Sequence, residues 1–329
     1  MKKLLILASI LSFPLGILVG YFVFQNMDVS HHERESRSRE IRESGYKYIS
    51  PLLECEVEGT KLNALGPLKT EIEDLVSNEE ASGKADDVAV YFRDLSNGPW
   101  FSVNSGDDFA PASLLKLPVL MAYYKKFEDH PDGLQVKLKY DKDYQLLFQS
   151  IEPAQTVQKG KEYTIEDLIE RMIVYSDNAA LAILEDNIEP GAIDKVTLDL
   201  GIETPSPNSP ENYMSVRGYA GLFRILFNAS YLEKDLSEKA LEVLTRTQFE
   251  GGIVAGVPKG IKVAHKFGER QIDEKSTQLH DCGIVYYPGS PYLLCIMSRG
   301  TNVQDLARTI SKISEKIYSR IDSYLSSSR

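Results

Sequence analysis

The order in which strand-like and helix-like segments follow one another constrains this chain more than any other feature. Val88 to Leu95 alternates as a strand closed by Ser96-Asn-Gly, and Trp100 to Val103 reads as its hairpin partner. Helix-like stretches follow at Ser113 to Phe127, Ile165 to Val174, Asn178 to Asn187, Ser215 to Phe227 and Leu236 to Thr245. Strand character returns at Ile261 to Lys266, Leu279 to Tyr287 and Tyr292 to Ser298, the last two joined by the hairpin signal Pro288-Gly-Ser-Pro291. Apolar residues at helical spacing start the block (Leu65, Leu68, Ile72, Leu75) and end it (Leu306, Ile310, Ile313, Ile317, Ile321). Strands at both ends with helices between them predict an α+β fold. Its antiparallel sheet would be covered by terminal helices, with an all-helical lobe inserted.

Before that block the chain differs in character. Leu4 to Phe24 is uncharged and mostly apolar, and as a helix it would span about 31 Å, enough to cross a bilayer. No small-x-small cleavage site stands out before Gln25, so residues 1–24 are expected as an uncleaved signal anchor rather than a removed signal peptide. Lys2 and Lys3 would keep the amino end cytoplasmic and send the rest outward, against the pull of Arg34, Arg37, Arg39 and Arg42. Residues 25–47 are polar and of mixed charge and read as a tether. Residues 48–329 are expected as the globular domain.

A net charge of −11 argues against nucleic acid as a partner. Cys55, Cys282 and Cys295 are too few and scattered for a disulfide framework or a zinc site. Cys282 and Cys295 flank a turn and either face each other across a hairpin or stay buried as free thiols, and the free thiols are expected.

Three short segments carry chemistry. In Pro111-Ala-Ser113-Leu-Leu-Lys116, a spacing of three sets an amine one turn from a hydroxyl on a buried helix. There the amine can take the serine's proton if burial lowers its pKa. The same Ser-x-x-Lys at Ser44-Gly-Tyr-Lys47 lies in the tether and reads as chance. Tyr175-Ser176-Asp177-Asn178 precedes an apolar run, and taken alone it reads best as a helix N-cap. Lys266-Phe267-Gly268-Glu269 ends a strand, where a glycine admits close approach of another chain or ligand.

Together and in this order the three resemble the Ser-x-x-Lys, Ser-Asp-Asn and Lys-Thr-Gly signature of class A β-lactamases and penicillin-binding proteins, from about Leu65 to the C-terminus. The resemblance implies a β-lactamase/transpeptidase-like fold and a serine hydrolase that forms an acyl-enzyme without metal or cofactor. Ser113 would be the nucleophile, Lys116 its base and Ser176 the proton donor to the leaving nitrogen. Asn178 would contact the substrate amide, and Lys266 would favour an anionic substrate. Gly268 would admit the ligand, and the N–H groups of Ser113 and Glu269 would form an oxyanion hole.

Two departures stand out. Phe267 replaces a hydroxyl residue that holds the substrate carboxylate, so another donor such as Arg270 would have to serve. The Glu-x-x-Leu-Asn segment of class A enzymes, whose glutamate activates the deacylating water, is missing, and Glu211 is the nearest candidate. The rival expectations are a D-alanyl-D-alanine peptidase acting on peptidoglycan, or a penicillin-binding sensor without turnover.

Overall fold

The computed structural model describes residues 39–56, 66–96, 98–205, 211–273 and 275–327. Two compact units are distinguished. Residues 1–39 with 56–61 fall almost wholly outside the described residues, and 40–55 with 62–329 hold everything below. The expected signal anchor therefore lies outside the described residues. Among the described residues no helix is long and apolar enough to cross a membrane.

In chain order the elements are β1 (Arg39–Arg42), β2 (Leu52–Glu56), α1 (Gly66–Ala81), β3 (Asp87–Asp94), β4 (Trp100–Val103) and β5 (Asp108–Phe109). A 3-10 turn over Ala112–Leu115 leads into α2 (Lys116–Lys126), followed by β6 (Lys137–Lys139), β7 (Glu162–Thr164), α3 (Ile165–Val174), α4 (Asn178–Asp186) and α5 (Ala192–Asp199). The remainder is β8 (Met214–Ser215), α6 (Val216–Asn228), α7 (Lys234–Leu244), β9 (Val263–Gln271), β10 (Thr277–Val285), β11 (Tyr292–Gly300) and α8 (Val303–Ser327). The tether expected over 25–47 is described only from Arg39, where β1 pairs with β2.

Five strands form one antiparallel sheet in the order β4-β3-β11-β10-β9. Both faces are buried, and alternation sorts them. Ala89 and Tyr91 of β3, with Leu293, Cys295 and Met297 of β11, face the helical lobe of α2, α3, α4 and α6. Val88, Val90 and Phe92, with Leu294 and Ile296, face Leu68, Ile72 and Val76 of α1 and Leu306, Ile310, Ile313 and Ile317 of α8. The terminal helices thus cover one face and the inserted lobe the other, as the order of segments predicts. The free-thiol expectation is corrected. Cys282 and Cys295 stand directly opposite in the β10–β11 register and are joined as a disulfide, with 3.9 Å between their Cα atoms.

Candidate active site

The Ser113 segment is not the opening of an α-helix. It is a 3-10 turn from which α2 departs at Lys116, and Ala112, the turn's first residue, holds a left-handed φ of 49°. In a 3-10 turn side chains at i and i+3 eclipse, so Ser113 and Lys116 still share a side. Long-range contacts fix the turn. Tyr219 of α6 donates to the Leu114 carbonyl at 3.0 Å. Ala110 N–H donates to Gln278 Oε1 and the Ala110 carbonyl accepts from His280 Nε2, both at 2.9 Å. Gly268 on β9 is required by proximity, since a Cβ there would lie 2.9 Å from the Pro111 carbonyl oxygen and 3.0 Å from Leu114 Cγ. Ser113 itself is half-buried.

Lys116 is buried. Its Nζ donates to the Ser176 carbonyl at 2.6 Å, to Ser176 Oγ at 3.1 Å and to Asn178 Oδ1 at 2.7 Å. Burial pulls its pKa down to about 7, against the opposing charges of Asp177 and Glu185. Lys266, fully buried, donates to the same Ser176 Oγ at 3.1 Å and to the Phe267 carbonyl at 2.7 Å. Its pKa lies well below the ordinary lysine value, first through burial and then through the charge of Lys116. One hydroxyl therefore sits between two buried amines that cannot both carry charge cheaply. Serine offers one donor and two acceptor sites, so Ser176 can receive from a charged lysine and donate to a neutral one.

Ser176 is not the helix cap. Asp177 caps α4 by accepting from Ala179 N–H at 2.8 Å, and its other oxygen accepts from Val157 N–H at 2.8 Å. Ser176 stands one residue earlier with φ 57°, a conformation costly for a non-glycine residue, and its hydroxyl is left to the lysines.

Asn178 bridges outward, since its Nδ2 donates to the Leu147 carbonyl at 3.1 Å. The Glu269 carboxylate accepts from Ser150 N–H at 3.0 Å, from Ile151 N–H at 2.9 Å and from the Ser150 hydroxyl. Residues 140–161, between β6 and β7, thus form a strap fastened to both the second and third motifs. Nothing in the local sequence marks these contacts, nor those of Tyr219, Gln278 and His280.

Phe267 is buried and stacks on Phe249 at 4.6 Å between ring centroids, while Lys266 Nζ lies 4.1 Å from its ring centre. The two expected stand-ins, Arg270 and Glu211, face each other as an ion pair at 3.5 Å. Among the described residues no carboxylate is hydrogen-bonded to Ser113 or Lys116, and no cluster of His, Cys, Asp or Glu is placed to hold a metal ion.

A profile described as the beta-lactamase enzyme family matches residues 67–321. No curated protein sequence matches the chain. Among solved structures, a PBP-A variant captured as an acyl-enzyme with penicillin G is 26% identical, with a TM-score of 0.66 over 79% of this chain and 97% of that one. A beta-lactamase from Sphaerobacter thermophilus is 22% identical, with a TM-score of 0.63 over 76% and 96%. A representative of class A beta-lactamase from Bacteroides cellulosilyticus is 18% identical, with a TM-score of 0.66 over 78% and 98%. The last two speak to the fold alone. With the profile spanning most of the chain and the fold shared nearly end to end with those structures, this protein belongs to the beta-lactamase enzyme family.

Proposed function

We propose that the protein is a serine hydrolase that forms a covalent acyl-enzyme with β-lactams or related cell-wall amides through Ser113. The observation that carries this reading is Ser176 Oγ held 3.1 Å from each of two buried lysine amines, one of them with a pKa near 7. Lys116 as a free amine takes the Ser113 proton while Oγ attacks the carbonyl carbon. Ser176 passes its proton to the departing amide nitrogen and is reprotonated by the Lys116 ammonium. The products are a Ser113 ester and a neutral amine. The N–H groups of Ser113 and Glu269 receive the oxyanion, β9 being the open edge of the sheet. Asn178 contacts the substrate amide. An anionic substrate beside Lys266 raises the pKa that burial has lowered. Gly268 keeps the turn and strand close enough for both groups to act.

The test is intact-mass spectrometry of the protein mixed with a penicillin. The expected outcome is a one-to-one adduct on Ser113, absent in Ser113→Ala and forming with a pH midpoint near 7 as Lys116 loses its proton. No adduct, or one mapped elsewhere, refutes the reading.

A second reading is a D-alanyl-D-alanine peptidase or a non-turnover penicillin sensor. Glu211 is tied to Arg270, which leaves no evident base for deacylation. The PBP-A variant's acyl-enzyme with penicillin G is consistent with such an arrested state. We also propose that residues 1–24 anchor the domain outside the cytoplasmic membrane. Retention in the membrane pellet after alkaline carbonate washing is the expected result.

A further inference from the structure

Between α6 and the sheet lies a cavity of about 80 Å³, away from the three motifs and lined by Tyr91, Arg93, Trp100, Arg217, Arg224 and Leu293. Its geometry follows from two periodicities. Arg217 and Arg224 are seven residues apart on one face of α6, with Ala220 and Gly221 between them giving the groove its depth. Tyr91 and Arg93 are two apart on β3, and Arg93 pairs in register with Trp100 on one side and Leu293 on the other. Arg217 lies over the Trp100 ring at 4.9 Å, and Tyr91 stacks on the same ring at 5.9 Å.

Three arginines line this groove, and none has an ion-pair or hydrogen-bond partner among the described residues. Arg217 and Arg224 are exposed and Arg93 half-buried, so solvent rather than an acidic side chain screens them, in a chain of net charge −11. Arg217 puts a cation in the first turn of α6, at the positive end of the helix dipole, where the Glu203 carboxylate accepts from the Ser215 hydroxyl and does not pair with Arg217. The larger cavity of about 300 Å³ between α3 and α7 behaves oppositely: its Lys239 pairs with Glu166 and its Arg246 with Glu170.

We propose that this groove binds a phosphate group, as a monoester or diester. Three planar donor forks suit a tetrahedral anion with several oxygens better than a carboxylate with two. The volume is that of about two or three water molecules, the scale of one such group. Trp100, 38% exposed, offers its ring to whatever carries the phosphate.

Trp100 is the only tryptophan in the chain, so its fluorescence reports on this groove without a label. The whole protein is titrated with glycerol phosphate in one arm, and in the other with vesicles of phosphatidylglycerol or of phosphatidylcholine, at constant ionic strength. A saturable emission change with glycerol phosphate identifies a soluble phosphate ligand, and a change only with phosphatidylglycerol vesicles identifies a lipid headgroup. Either supports the site. Arg93→Gln and Arg224→Gln should each weaken the response about tenfold, with melting temperature unchanged because neither side chain has a partner to lose. Arg224→Lys should recover only part of it, since the fork is lost. The proposal is overturned if neither ligand changes the emission. It is equally overturned if chloride changes it as much, or if the Arg93→Gln, Arg224→Gln double variant responds as the parent does.

Discussion

Ser176 and Asp177 are neighbours with separable jobs, and substitution should split them. Ser176→Ala removes the hydroxyl between Lys116 and Lys266 but leaves the α4 cap intact. Acylation by penicillin should slow 10²–10⁴-fold, roughly the worth of one positioned proton transfer, with little change in melting temperature. Asp177→Ala should instead cost about 1–2 kcal/mol of stability through the lost cap. If Ser176→Ala lowered stability and spared acylation, the proton-transfer role would be wrong. His280 is the second residue with a sharp consequence. Its Nε2–H donates to the Ala110 carbonyl and its Nδ1 accepts from Ser298 N–H, so the ring is held neutral, and burial lowers its pKa to about 4. The unfolded chain's imidazole takes a proton from about pH 6.5, so below that pH the unfolded state binds more protons than the fold. Stability should therefore fall as pH drops from 6.5 toward 4, by about 3 kcal/mol in all. Urea midpoints across this range should show the slope in the parent and a flatter one in His280→Gln.

At the scale of elements, the strap over residues 140–161 matters most. Its Leu147 carbonyl holds the Asn178 amide, the group proposed to receive the substrate, so binding and strap contact compete. Leu146, Leu147 and Phe148 are 46%, 68% and 75% exposed, so little burial opposes withdrawal of this tip of the strap, while Val157 anchors its far end in the core. The Glu269 carboxylate fastens this tip, through Ser150 and Ile151. Glu269→Ala keeps the backbone N–H but frees the strap, and should raise both kcat/KM for acylation and the rate of chymotrypsin cleavage near Phe148. Slower acylation with unchanged proteolysis would mean that the strap does not gate the site.

For the whole molecule, the question is whether the proposed acylating set comes with a means of release. Water is a poor nucleophile at neutral pH, and without a placed base it loses about 10²–10⁴-fold in rate. The proposed oxyanion donors would serve acylation and deacylation alike, so they could not rescue release selectively. A chromogenic cephalosporin should give a burst of about one equivalent and then slow turnover. Steady turnover with no burst would redirect attention to Glu211, and Glu211→Gln should then trap the adduct.

The order of strands and helices, the layers of the fold and the three motifs were legible in the sequence, because periodicity and i, i+3 spacing are local properties that neighbouring residues enforce. Ile165 to Val174 was bounded to the residue, by the capping box of Thr164 and Asp167 at its start. Contacts between distant segments were decided only by packing. Lys116, one turn from Ser113, also meets Ser176, 60 residues away, because the 3-10 turn and the left-handed Ser176 aim both groups at one buried point. Arg270 and Glu211 each looked available for a different task until folding paired them. Whether Cys282 and Cys295 bond depended on the β10–β11 register, which the turn between them suggests and the sheet's two buried faces set. The arginines of the α6 groove, spread from 93 to 224, have no sequence signal at all. Their convergence comes from one helix face lying across one strand, and no residue specifies that alone.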